Sequence, residues 1–70
     1  MAPNATVRLP ALRAARVRRA LTQSQLGLLA GLNMRTVMAI ENGAEAKMLT
    51  VQKLAKALNV EPAELMEQSS

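Results

Sequence analysis

The sequence predicts an all-α fold, a compact domain of five short helices. Apolar residues recur at the helical spacing of three and four positions, most clearly at Val51, Leu54, Ala55 and Leu58. Residues that cap helix starts and glycines that end helices separate these apolar segments. A chain of 70 residues allows one small domain, which buries about 60% of its unfolded surface.

Start and stop signals define the helices in order. Thr22 followed by Gln25 matches a capping box, and Gly31 ends the helix that begins there. Asn33 is a favourable cap for the next helix. The predicted helices cover Pro10 to about Arg19 or Ala20, Gln23 to Ala30, Met34 to Glu41, about Leu49 to Leu58, and a short segment from Pro62 that contains Leu65 and Met66.

Residues 1–9 are predicted to form an extended arm that precedes the domain of residues 10–68. Pro3 and Pro10 oppose an earlier helix start. An Arg-rich segment without acidic residues is also typical of an organelle transit peptide. The segment has little Ser and continues without a break into the first helix, which favours the arm.

Composition excludes several classes of function. The chain has no Cys and no His, so disulfides, thiolate metal sites and the usual general base are absent, as fits a reducing cytoplasm. Five Glu without a Gly-rich phosphate loop give no catalytic constellation, and no apolar run reaches the roughly 20 residues of a membrane span. We expect a protein that is not an enzyme and has no metal, cofactor, small-molecule ligand or membrane partner.

Charge is distributed unevenly along the chain. Residues 1–35 contain six Arg and no acidic residue, whereas residues 36–70 contain three Lys and five Glu. A basic half attracts polyanions, of which duplex DNA is the commonest. The absence of Phe, Tyr and Trp disfavours single-stranded nucleic acid, which is usually held by stacking on aromatic side chains.

Two charged residues fall on the apolar sides of predicted helices. Glu41 shares a side with Val37 and Ile40, and Arg16 shares one with Leu12. Buried charges are costly unless they are paired, which predicts a salt bridge between Arg16 and Glu41. The alternative is that both side chains extend independently to solvent.

The opposite side of the third predicted helix presents Met34, Arg35, Met38, Ala39 and Asn42, with Thr36 at its edge. In a major groove, Arg can donate two hydrogen bonds to guanine, while Met and Ala suit thymine methyl groups. Arg35 is therefore the first candidate for base readout, with a phosphate contact as the rival interpretation. Met34 and Met38 could instead fill gaps in a core or a protein interface.

The chain resembles the Cro and repressor-type helix-turn-helix family, also called the Xre family, from about Leu12 to Met66. The motifs that carry the resemblance occur in the family order and spacing: Arg16 in the first helix, then LTQSQL at 21–26, AGLN at 30–33, TVMAIENG at 36–43 and LAKALNV at 54–60. The resemblance implies a five-helix, lambda-repressor-like domain whose third helix enters the major groove. It also implies a pairing of Arg16 with Glu41, and dimers on two-fold symmetric operators with half-sites about 34 Å apart.

The family's functional positions can be transferred residue by residue. The base-reading positions fall on Met34, Arg35, Thr36 and Ala39, with Met38 added from the helix face. The phosphate contacts fall on Gln23, Asn42 and Gly43, with Lys47 a looser candidate. Arg8 lies outside the match and is a further candidate phosphate contact from the arm. It could instead enter the minor groove, as homeodomain arms do, or the arm could be disordered.

The departures from the family point to a second interpretation. Gly27 stands where the family usually has Ala, and Leu28 and Leu29 stand where charged residues are common. An exposed apolar group near two Met residues could mark a protein contact. The loop from Ala44 to Lys47 lacks the family's usual Pro and a good helix cap.

The leading prediction is a sequence-specific, double-stranded-DNA-binding transcriptional regulator, with repression as the family expectation. It would be a bacterial or phage-encoded protein that acts as a homodimer in the cytoplasm, associated with the nucleoid. Val60, Leu65 and Met66 are the candidates for the dimer interface. The alternative is an antitoxin or adaptor that binds a protein partner through Leu28, Leu29, Met34 and Met38, with DNA binding secondary. A hydrolase or transferase is disfavoured.

Overall fold

A computed structural model describes residues 5–67 of the chain. The elements follow in the order β1 (Thr6–Val7), α1 (Leu12–Arg18), α2 (Gln23–Ala30), α3 (Met34–Glu41), β2 (Ala46–Lys47), α4 (Met48–Leu58) and α5 (Pro62–Met66). The predicted all-α class is confirmed, with a small two-stranded sheet added. Residues 1–4 of the predicted arm and Gln68 of the predicted domain lie outside the described residues.

The helices α2 and α3 begin at side-chain caps. The Thr22 hydroxyl accepts a hydrogen bond from the Gln25 main-chain N–H, and the Gln25 side chain accepts one from the Thr22 N–H. Helix α2 ends at Gly31, whose φ of 70° is in the left-handed region. The Asn33 side chain then accepts from the Arg35 N–H at the start of α3. Only two residues, Leu32 and Asn33, therefore separate Gly31 from α3.

Helix α1 is shorter than the sequence predicts. Ala11 has φ −94° and ψ 3°, which is not helical, and its N–H donates to the Leu65 carbonyl of α5. The prediction of a helix start at Pro10 is therefore wrong by two residues, because a tertiary hydrogen bond fixes this turn. The helix ends at Arg18, and Ala20 reverses the chain with φ 57°.

The two strands form a short antiparallel ribbon. Thr6 pairs with Lys47, and Val7 pairs with Ala46. Leu9, which follows β1, is buried in the core. The part of the predicted arm from Thr6 to Leu9 thus lies against the helical domain, and it connects the segment before α1 to the segment after α3.

Aliphatic side chains alone fill the core, since the chain contains no aromatic residue. Its largest fully buried members are Leu9, Leu12, Leu26, Val37, Val51, Leu54, Leu58 and Leu65. The prediction that Leu65 belongs to a dimer interface is wrong for this fold. Its side chain is 0% exposed, so it contacts the protein's own core and has no surface left for a second chain.

Candidate nucleic-acid interface

Helix α3 has one buried and one exposed side. Val37 and Ile40 are buried in the core, and these two side chains fix how the helix is rotated. All five side chains that were predicted to contact bases are exposed: Met34, Arg35, Thr36, Met38 and Ala39. The structure thus brings all five candidate base readers together on one accessible face.

Arg35 stands at the second residue of this helix. Its main-chain N–H is bonded to the Asn33 cap, which fixes the helix start. Within residues 5–67, its guanidinium takes part in no hydrogen bond or ion pair. The side chain is therefore free to donate to an external acceptor near the start of α3.

A shallow groove runs beside the exposed face of α3. It has a volume of about 540 Å³ and is bounded on one side by Arg35, Thr36 and Ala39. The opposite side is formed by residues of the β2 strand and its neighbours, including Lys47 and Thr50. Two cations, Arg35 and Lys47, therefore line the same groove. Its one acidic residue, Glu45, accepts a hydrogen bond from the Thr6 hydroxyl.

A second groove, of about 440 Å³, lies at the other end of α3. Arg8 and Pro10 form one side of it, and Asn42 and Gly43 form the other. Arg8 is exposed in the structure and lies in the turn region between β1 and α1. Three predicted phosphate contacts, Arg8, Asn42 and Gly43, are thus neighbours in space although they are far apart in sequence.

Arg16 and Glu41 form the ion pair between α1 and α3. Arg16 Nε lies 2.6 Å from Glu41 Oε2, and Arg16 Nη2 lies 3.1 Å from Glu41 Oε1. The two side chains are 12% and 3% exposed. Arg16 also donates through Nη1 to the Leu21 carbonyl at 2.7 Å, just before the cap of α2. The pair therefore links α1, α3 and the turn that precedes α2.

Burial alone raises the pKa of the Glu41 carboxyl and is the largest single influence on it. Hydrogen bonds from Arg16 and Gln23, with the attraction of the Arg16 and Arg13 charges, together outweigh burial and hold this pKa below its ordinary value. The hydrogen bond to Glu41 raises the pKa of Arg16 despite partial burial. Both groups are charged near neutral pH.

Gln23, the first residue of α2, joins the same network. Its Nε2 donates to Glu41 Oε1 at 3.1 Å. The sequence predicted a phosphate contact for Gln23 and a salt bridge of Glu41 with Arg16, but no contact between Gln23 and Glu41. No local pattern could have revealed the contact, because the residues are 18 positions apart and meet only through the packing of α2 on α3.

An apolar surface lies on α2 away from these contacts. Leu28 and Leu29 are 83% and 60% exposed. Met34 and Met38 on α3 are exposed to a lesser degree, and Leu49 at the start of α4 is exposed as well. Val60 and Met66 are half-buried against the core, so each retains some accessible surface.

No helix within residues 5–67 is long and apolar enough to cross a membrane. The same range contains no group of three or more His, Cys, Asp or Glu residues that could hold a metal ion.

A short turn between α2 and α3, together with the exposed side of α3, defines a helix-turn-helix domain. A family described as helix-turn-helix matches residues 12–65, and the chain belongs to this Xre-type family. This is a family of DNA-binding transcriptional regulators and is not an enzyme family. The protein is accordingly a DNA-binding transcriptional regulator.

Solved structures that are similar to this chain include two with a TM-score of 0.75. The restriction-modification controller protein C.AhdI from Aeromonas hydrophila is 38% identical, with a TM-score of 0.75 over 77% of this chain and 83% of its own. The hypothetical transcription factor NHTF from Neisseria is 28% identical, with a TM-score of 0.75 over 81% of this chain and 65% of its own. No curated protein gives a significant match.

Proposed function

We propose that the protein is a sequence-specific repressor that binds a two-fold symmetric operator in double-stranded DNA as a homodimer. The observation that carries the proposal is the exposed face of α3, which presents an unpaired Arg35 beside a groove that also contains Lys47. In each half-site, α3 would lie in the major groove with its first residues against the bases. Occupation of a promoter would then block transcription.

Base readout would come from the exposed face of α3. Arg35 can donate two hydrogen bonds to the O6 and N7 atoms of guanine. Met34, Met38 and Ala39 offer apolar contacts to thymine methyl groups, and Thr36 can bond to more than one base. A face with one cation among small and apolar groups favours an operator that combines G·C and A·T pairs.

Phosphate contacts would come from both ends of the interface. Lys47 lines the groove beside Arg35, whereas Arg8 shares the second groove with Asn42 and Gly43. Gln23 lies at the start of α2, where main-chain N–H groups lack helical acceptors and favour an anion. Such contacts fix the register of the protein on DNA and carry no base information.

The dimer would use the accessible parts of Val60 and Met66. Both half-buried side chains are near α5, and the remaining member of the predicted set, Leu65, faces the core. A two-fold dimer places the same patch on each side of the interface. We also propose that the protein is bacterial or phage-encoded and acts in the cytoplasm in association with the nucleoid, where duplex DNA is accessible.

The direct test is selection of bound fragments from a random pool of duplex DNA, followed by sequencing. We expect enrichment of a motif with two-fold symmetry and with half-site centres one helical turn apart. Salt-sensitive binding without any preferred sequence would contradict the proposal. The similarity to a restriction-modification controller makes control of such a system one candidate role, so DNA upstream of neighbouring genes is the first natural sequence to examine.

A second candidate function is binding of a protein partner, as an antitoxin or adaptor. The exposure of Leu28 and Leu29 favours it, because the family commonly has charged residues at both positions. A partner that also contacts Met34 or Met38 would compete with DNA. Co-purification with mass spectrometry would identify a partner, and addition of operator DNA would then release it if the surfaces overlap.

A further inference from the structure

The bond between Gln23 and Glu41 restricts the orientation of the Gln23 amide. An ionised carboxylate has only acceptor atoms, whereas the Gln amide has a donor end and an acceptor end. Gln23 Nε2 faces Glu41 Oε1 at 3.1 Å. The reversed amide would bring two acceptor oxygens together, so the carboxylate excludes that orientation.

Glu41 is itself held in place. Two nitrogen atoms of Arg16 bond to its two oxygens, and the Glu41 side chain is almost fully buried. A paired guanidinium and carboxylate have a defined planar geometry. The acceptor that faces Gln23 is therefore fixed relative to both α1 and α3.

One N–H of the Gln23 side chain is used by Glu41, and the second remains to donate elsewhere. Gln23 is the first residue of α2, whose first main-chain N–H groups have no acceptor within the helix. A phosphate oxygen, which only accepts, needs donors at this position. For a phosphate oxygen beside Nε2, the orientation that Glu41 enforces presents the second N–H, whereas the reversed amide would present its acceptor oxygen at that place.

We propose that Glu41 is a positioning residue for DNA binding: it holds the Gln23 amide with its nitrogen turned so that the second N–H can donate to a backbone phosphate. The inference rests on the proposed phosphate contact of Gln23. Glu41 would then have two roles: the structural pairing with Arg16, and the orientation of Gln23, whose loss would lower the affinity for DNA.

The test is a double-mutant cycle with Glu41→Gln and Gln23→Ala. A Gln side chain at position 41 can accept or donate, so the Gln23 amide is no longer restricted to one orientation. We expect Glu41→Gln to weaken binding to operator and to unrelated duplex alike. The loss should lie between about twofold, if half of the molecules keep the donating orientation, and about tenfold, if the bond to phosphate is lost.

In the Gln23→Ala background, the same Glu41→Gln change should cause no further loss of affinity. An equal loss in both backgrounds would overturn the inference, because Glu41 would then act through the fold alone. Binding is compared at a temperature at which circular dichroism shows all four proteins to be folded.

A measurement on the unchanged protein covers the case in which Glu41→Gln does not fold. The order parameter of the Gln23 side-chain NH₂ group, from ¹⁵N relaxation, should approach the rigid value of about 0.85. Gln52, which is exposed on α4, is the control and should be mobile, below about 0.6. Equal mobility of the two amides would overturn the inference.

Failure of the inference and failure of the proposed function give different results. If Gln23→Ala binds operator as tightly as the unchanged protein, Gln23 makes no phosphate contact and the inference is overturned, while operator binding itself stands. If the unchanged protein prefers no DNA sequence, the proposed function fails.

Discussion

Glu41 shows how a single buried charge can organise this small domain. A carboxylate that is 3% exposed would be costly alone, but it accepts three hydrogen bonds, two from Arg16 and one from Gln23. Removal of one partner from such a pair leaves an uncompensated buried charge. If a neutral side chain replaced Glu41, the guanidinium of Arg16 would be left as the uncompensated charge.

Replacement of Glu41 by Gln should therefore destabilise the fold by about 3 kcal/mol. The free energy of unfolding, from urea denaturation monitored by circular dichroism, measures the effect. Glu67→Gln is the matched control, since it removes the same charge from an exposed position and should change stability by less than about 0.5 kcal/mol. A loss of only a few tenths for Glu41→Gln would contradict the energetic importance of the pair.

The same residue predicts a dependence on pH. Because the folded pKa of Glu41 is lower than its ordinary value of 4.5, the unfolded chain takes up this proton first on acidification. The contribution of Glu41 is full above pH 4.5 and is lost as the pH falls through the folded pKa. The stability difference between the unchanged protein and Glu41→Gln should narrow in this acid range. A constant difference throughout it would argue against the prediction.

Arg35 and Gln23 should respond differently to substitution. Arg35→Ala should cost about 1 to 3 kcal/mol on the selected operator and relax the preference at one base pair. Gln23→Ala should weaken binding to all sequences alike, because phosphates are the same everywhere. Titrations against the operator and a set of single-base variants distinguish the two. Identical behaviour of both variants would contradict the assignment of base readout to Arg35 and of a phosphate contact to Gln23.

At the scale of the element, Gly27 sets the approach of α2 to the turn before α3. A Cβ atom built at Gly27 would lie 2.7 Å from the main-chain oxygen of Leu32. The Gly27 carbonyl in turn accepts from the Leu32 N–H at 2.7 Å. The sequence showed only that Gly27 stands where the family usually has Ala, and the structure identifies the backbone group that lies close to it.

Gly27→Ala should destabilise the protein by about 1 kcal/mol. Ala gains about 1 kcal/mol in helix propensity, but displacement of a main-chain carbonyl costs about 1 to 3 kcal/mol. Ser24→Ala is the control in the same helix, because Ser24 is exposed and gains propensity without a clash. Thermal or urea denaturation measures both variants. If Gly27→Ala stabilised the protein as much as Ser24→Ala, the main-chain carbonyl of Leu32 could move away from the added Cβ atom without a loss of stability.

The β1–β2 ribbon is the element that the sequence did not predict. Each strand has only two residues, which is too short for a pattern of alternating polarity. The strands are 39 positions apart in the sequence at Val7 and Ala46, so no turn signal connects them. Their pairing depends on where α1 and α3 place the two segments.

At the scale of the whole molecule, the fold distributes the charges of the basic half. Arg8 lies beside the end of α3, Arg35 lies at its start, and Arg16 is used internally. Lys47, from the second half, joins Arg35 in one groove. Net charge predicted attraction to a polyanion, but which charges can reach DNA depends on the packing.

The salt dependence of DNA binding should identify those charges. Each cation that neutralises a phosphate adds about 0.9 to the slope of log affinity against log salt concentration. Arg8→Ala and Lys47→Ala should each reduce the slope by about 1. Arg18→Ala, in α1 and outside both grooves, is the charge-matched control and should leave the slope unchanged. Equal reductions in all three variants would indicate attraction to net charge without specific contacts.

The dimer should depend on the surface near α5. Met66→Lys introduces a charge at a half-buried position and should shift the monomer–dimer equilibrium towards the monomer, as measured by sedimentation equilibrium. Binding to the operator should weaken as a consequence. Leu28→Lys is the control on the exposed apolar surface of α2 and should leave the dimer intact. Dissociation caused by Leu28→Lys and not by Met66→Lys would assign the interface to α2. Circular dichroism confirms that both variants are folded.

The sequence by itself determined the helical fold, the bounds of α2 and α3, and the exposed face of α3. These features depend on local rules, since caps, left-handed glycines and helical periodicity act within a few residues. The pairing of Arg16 with Glu41 was also predictable, because each charge stood on an otherwise apolar side. Only the tertiary structure decided the start of α1, the β1–β2 ribbon, the burial of Leu65 and the contact of Gln23 with Glu41. Each of these joins segments that are distant in the chain, and their meeting is fixed by the packing of the shared core.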